Sequence, residues 1–97
     1  MSTAISRAYY AAFINARNYL RDQEGLSIPT TGNAHSYVSQ HFELSVDPVQ
    51  RTLGENLVRL RIYRRQADYV DKFPGLSVIT QTALKLSEET ILILNSL

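Results

Sequence analysis

The sequence predicts an all-α fold, a bundle of three long helices and one short one. Three observations carry this. Apolar residues recur at three- and four-residue steps through nearly the whole chain, which is the helical period. Helix-stop and helix-start chemistry falls between the periodic stretches, at Gly25, Asp47-Pro48 and Phe73-Pro74-Gly75. No alternating pattern of the kind that marks a strand competes with the helical one.

The first helix is expected from Thr3 to Glu24, with Ile5, Ala8, Tyr9, Ala12, Ala16, Tyr19 and Leu20 on its buried face. Its many alanines favour helix, and Gly25 supplies the stop. Ser27, Pro29, Thr30, Thr31 and Gly32 then read as a loop. A short second helix is expected from Ala34 to Leu44, with Asn33 as its N-cap and Val38 and Phe42 as its buried edge. Asp47-Pro48-Val49-Gln50 is the clearest start signal. Asp47 can accept from the free N–H groups, Pro48 has no N–H to satisfy, and Gln50 can complete a capping box. The third helix should therefore run from there to about Asp71. The last is expected from Val78 to Asn95 with Ser77 as cap. Ile79, Ala83, Leu86, Thr90 and Leu94 form its inner face, and Leu84, Ile91 and Leu92 broaden it.

Length and composition set the limits. Ninety-seven residues make one domain, spanning 1–97, with a modest core. Hydrophobic content of 44% and charged content of 20% are globular values. The net charge of +1 does not announce a nucleic-acid binder, so that role would have to rest on local clustering. With no cysteine the chain has no disulfide, thiolate metal site or cysteine nucleophile. No apolar run approaches the roughly 20 residues that span a bilayer, and the start lacks the apolar core of a signal peptide. The chain reads as cytoplasmic, with no membrane partner and no cofactor.

Most of the chemistry is concentrated on the third helix. At about 100° per residue, Leu53, Leu57, Leu60 and Ala67 share a stripe, and Arg64 lies within it. Val58, Ile62 and Tyr69 form a second stripe on nearly the opposite side. A helix with two apolar faces is expected to be buried on both, one by the bundle and the other by a second subunit. An arginine in an apolar stripe needs a partner. Asp68, four residues on, offers a structural ion pair. The alternative is a guanidinium positioned for phosphate. Arginines stand at 51, 59, 61, 64 and 65, opposed in that stretch only by Glu55. Arg61, Arg64 and Arg65 span one sector, able to hold a phosphodiester backbone or to form a solvated, salt-bridged face. His35 and His41 are six apart, which does not suit a helical metal pair. No Ser-His-Asp grouping and no glycine-rich phosphate loop can be argued.

Ser6-Arg7-Ala8-Tyr9-Tyr10-Ala11-Ala12-Phe13 followed by Ala16-Arg17 resembles a segment of HEPN-domain proteins. Ala34-His35-Ser36-Tyr37-Val38 with Phe42 resembles their short helix. Arg64-Arg65-Gln66-Ala67-Asp68-Tyr69 resembles the R-x-x-A-D-Y segment of one branch. The resemblance covers most of the chain and implies an antiparallel, up-and-down bundle that commonly forms homodimers. Many members are metal-independent ribonucleases, often toxins. Others partner small nucleotidyltransferases or bind RNA without cutting it.

The family's nuclease motif is an arginine followed, after four to six residues, by a histidine. Arg64 matches the arginine, but Tyr69, Val70 and Asp71 fill the histidine window. A phenol with a reference pKa near 10 is a poor general base. The resemblance therefore implies a non-catalytic dimeric module that binds RNA or a nucleotide, or pairs with a nucleotidyltransferase in a toxin–antitoxin-like system. Arg64 would contact phosphate, Asp68 would orient it, and Tyr69, Arg61, Arg65 and His35 would complete the site. A ribonuclease with a modified Arg/Tyr site and a purely structural dimer are the alternatives. The helix that family members usually carry before the Ser6 segment has no counterpart here. Left uncovered, Ile5, Tyr9 and Phe13 would form an apolar patch that favours association.

Overall fold

A computed structural model describes residues 3–69 and 76–97, the side chains of Thr3, Asp68, Tyr69 and Leu76 excepted. These residues form a helical bundle of α1 (Thr3–Gln23), α2 (Ala34–Glu43), α3 (Pro48–Tyr69) and α4 (Leu76–Ser96). The expected stop at Phe73-Pro74-Gly75 lies outside the described residues. The closest packing partners are α1 with α4 and α2 with α3, and α3 also lies against both α1 and α4.

The ends of the helices follow local chemistry. Gly25 takes a left-handed φ of 67°, a conformation that costs glycine nothing. The chain turns back there, and the Leu26 N–H donates to the Leu20 carbonyl at 3.1 Å. At the start of α3 the Val49 N–H donates to Asp47 Oδ1 at 2.9 Å, as expected of the cap. The amide of Asp47 itself donates to Ser45 Oγ at 3.1 Å. Ser45 thus does the work expected of Gln50 in a capping box. Arg51 closes the same corner, donating to the carbonyls of Ser45 and Val46 at 3.1 and 3.0 Å.

Two expected caps are not formed. Asn33 has helical φ and ψ and makes no side-chain capping bond. The Ala34 N–H is met instead by the Thr31 carbonyl at 3.1 Å. Ser77 lies within α4 rather than before it.

The core is built from the predicted faces. Ile5, Ala8, Tyr9, Ala12, Ala16 and Leu20 are buried on α1, Val38 and Phe42 on α2, Leu53, Leu57, Leu60 and Ala67 on α3, and Ala83, Leu86 and Leu94 on α4. Thr90 is buried too, its hydroxyl donating to the Leu86 carbonyl at 2.7 Å. Ser87, also buried, donates to the Ala8 carbonyl at 2.7 Å and ties α4 to α1.

Two expectations are corrected. Leu84 and Leu92 do not broaden the inner face of α4: they are exposed, and Ile93 packs on the core in their place. Ile5, Tyr9 and Phe13 do not form a patch, because the chain's own helices bury all three. The described residues cover the second stripe of α3 only in part: Val58 is half-buried and Ile62 is 47% exposed.

Candidate nucleic-acid interface

Three helices converge around His35, the second residue of α2. It is 8% exposed. Its ring stacks near Phe13, with centroids 6.1 Å apart, and lies 5.6 Å from the ring of Tyr9. Tyr9 Oη sits 2.7 Å from His35 Nδ1 in a buried hydrogen bond. Nδ1 is thereby engaged by Tyr9, and the tautomer of the ring sets which of the two donates.

Burial, reinforced by the nearby Arg61 guanidinium, lowers the pKa of His35 to about 4. An imidazole removed from water and set beside a cation resists protonation. Burial also raises the pKa of the Tyr9 phenol, opposed by Arg61 and Arg64. Both groups are therefore neutral at physiological pH. A base so weak is poorly matched to proton transfer near pH 7, but a neutral imidazole N–H remains a good donor to an anion.

His35 lines a groove of about 330 Å³ between α2 and α3. Arg61 and Arg65, one turn apart on α3, stand on its wall, with Val58 and Ile62 from the partly covered apolar stripe between them. Glu43 and Gln40 face them from α2. Among the described residues no carboxylate forms an ion pair with Arg61, Arg64 or Arg65. The groove therefore combines two guanidinium groups without an ion pair among the described residues, a neutral imidazole and two aliphatic side chains.

Arg64 does not line this groove. Half-buried in the apolar stripe as expected, its guanidinium carbon lies 4.8 Å from the ring centroid of Tyr10 and 5.4 Å from that of Tyr9. The partner it finds among the described residues is aromatic rather than acidic, an arrangement a guanidinium readily accepts. Its Nε is buried with no acceptor. Tyr10 is 43% exposed, so the Arg64–Tyr10 contact reaches the surface. The backbone of Asp68 and Tyr69 belongs to α3, but their side chains lie outside the described residues.

The five arginines thus divide by task. Arg51 closes the α2–α3 corner, Arg59 donates to Tyr63 Oη at 3.3 Å, Arg61 and Arg65 face the groove, and Arg64 faces the tyrosines. His41 has a structural contact, its Nε2 lying 3.3 Å from Glu24 Oε2. Tyr9, Tyr10, Gln40 and Glu43 belong to this surface and were not assigned to it from the sequence. Only the family-like position of Tyr9, one residue before Tyr10, hinted at its importance.

Among the described residues no group of three or more His, Cys, Asp or Glu side chains could hold a metal ion. No helix there is long and apolar enough to cross a membrane. Compared with known proteins, the chain matches no family model, no curated protein and no solved structure.

Proposed function

We propose that the chain is a HEPN-like, non-catalytic, dimeric module that binds RNA or a nucleotide, or pairs with a small nucleotidyltransferase in a toxin–antitoxin-like system. The observation that carries the reading is the groove in which Arg61, Arg65 and His35 meet with no ion pair among the described residues. A structural role for the arginines would call for nearby carboxylates and a closed surface. Here one carboxylate, Glu43, faces an open groove. The partly covered Val58 and Ile62 are suited to a nucleobase or a second subunit. Arg64 and Tyr10 extend the cationic and aromatic surface toward α1.

The test is binding of a short RNA at several salt concentrations. Replacing both Arg61 and Arg65 by glutamine is expected to weaken binding about 10- to 100-fold and to reduce the log–log salt slope by about 2, one for each lost phosphate contact. Arg64→Ala is expected to weaken binding by a smaller factor. Unchanged affinity and slope in the double variant would end the phosphate reading of the groove, and the same result for Arg64→Ala would confine that residue to structure. Total RNA incubated with the purified protein without metal is expected to stay intact beside a working nuclease. Cleavage would replace the binding reading with that of a ribonuclease using a modified site.

A further inference from the structure

A second concavity, of about 510 Å³, lies between α1 and the loop that follows Gly25. It shares no lining residue with the α2–α3 groove, and its size is that of a small-molecule site. The left-handed turn at Gly25 folds the loop back toward α1, so that residues 26–30 face Phe13, Arg17 and Arg21.

Arg17 is the notable group. Its Nε is buried without an acceptor. Among the described residues its Nη2 reaches only the neutral Asn18 Oδ1, at a long 3.4 Å. Arg17 as a whole is half-buried, and the buried Nε–H of a guanidinium ordinarily finds a carboxylate, a carbonyl or a bound anion. Arg21, one turn on, is exposed and held by Asp22 through bonds of 2.8 and 3.2 Å. With Arg21 and Asp22 neutralising each other, the charge left at the pocket is that of Arg17. Across from it the loop offers the Thr30 hydroxyl for an oxyanion, while Phe13 and Ile28 supply an apolar wall.

We infer that this pocket is a binding site for a small organic oxyanion, a carboxylate or phosphate-ester head carried on an apolar or aromatic body. Arg17 takes the head in the fork geometry that suits both anions. Thr30 donates a further hydrogen bond, and the body lies between Phe13 and the loop. The concavity is open on one side and sized for one small molecule rather than a polymer. The site has its own lining residues, and it adjoins the groove proposed for RNA through the Phe13–His35 contact.

Nitrogen-resolved NMR titration of the full chain tests this with benzoate, phenyl phosphate, inorganic phosphate and neutral benzyl alcohol. Benzoate or phenyl phosphate is expected to produce saturable shifts at Arg17 Nε–H and at the amides of residues 26–28 and 30. Benzyl alcohol and inorganic phosphate, each lacking half of the recognised chemistry, are expected to bind at least about tenfold more weakly. The stronger of the two aromatic anions identifies the preferred head. Arg17→Gln is expected to weaken binding by about tenfold or more, and Thr30→Val, at an exposed loop position, by a few-fold. The double Arg61 and Arg65 variant should bind the aromatic anions as wild type does, which separates this site from the RNA groove. The inference is overturned by an absence of saturable shifts with either aromatic anion, or by benzyl alcohol binding equally well. Wild-type affinity in Arg17→Gln overturns it too. Should that variant not fold, wild-type affinity in Thr30→Val does the same.

Discussion

Replacing Gly54 by alanine is expected to lower the stability of the protein by about 1–2 kcal/mol, although alanine is the better helix former. Gly54 sits inside α3 where that helix touches α2. A Cβ there would stand 2.6 Å from the Glu43 backbone nitrogen, 2.7 Å from Glu43 Cγ and 2.8 Å from the Ser39 carbonyl oxygen. A long side chain could move its end aside, but two of these three atoms are backbone of α2. The added methyl can be housed only by moving α2 away from α3. Overpacking of this kind costs about 1–3 kcal/mol and occasionally more. The gain in helix propensity returns up to about 1 kcal/mol, so the net loss should still be large against the few kcal/mol that stabilise a small domain.

Urea denaturation monitored by circular dichroism checks this prediction. The midpoint should fall with little change in slope, and an unchanged or higher midpoint would contradict the close contact. There is a functional corollary. The groove that holds His35, Arg61 and Arg65 has α2 and α3 for its two walls. Folded Gly54→Ala should therefore bind RNA more weakly, even though no groove residue has changed.

Acidification is the second large effect. His35 has its pKa lowered to about 4 by burial first and by the Arg61 charge second. In the unfolded chain it titrates near 6.5. Between these values the unfolded state binds the proton and the folded state does not, so stability falls as pH falls. The contribution is fully present above about pH 6.5 and is lost progressively down to about pH 4. The whole difference is about 3 kcal/mol at 1.36 kcal/mol per unit.

Stability measured by urea at pH 7, 6, 5 and 4 should show this slope, and His35→Gln should flatten it. A wild-type slope in that variant would assign the acid sensitivity elsewhere. Arg61→Gln removes the second cause and should raise the His35 pKa, as read by NMR titration of the ring. Protonation also removes Nδ1 as an acceptor, so that in the imidazolium form Nδ1–H donates to the Tyr9 hydroxyl oxygen.

The helices were legible in the sequence because the forces that make them act within one turn. Asp47 meets Val49, Gly25 takes the φ its neighbours could not, and the Leu53–Leu57–Leu60–Ala67 stripe follows from period alone. The same local reasoning placed Arg64 in an apolar stripe and required a partner for it. It could not name the partner, because Tyr9 and Tyr10 lie on another helix more than fifty residues away.

It misjudged Asn33 and Ser77, residues with cap chemistry whose backbone settings are decided by how the chain enters the helix. It also placed Leu84 and Leu92 inward, since an apolar-rich helix leaves open which of its residues its neighbours will cover. Tyr9 and His35 are twenty-six residues apart, and their hydrogen bond exists only because α1 and α2 pack side by side. Gly54 in the sequence is an unremarked glycine in a helical stretch, and its need for a bare Cα arises where Ser39 and Glu43 press against it. Periodicity and capping are properties of neighbouring residues. The groove, the buried imidazole and the close α2–α3 contact depend on which helices meet, and that is settled by the packing of the whole core.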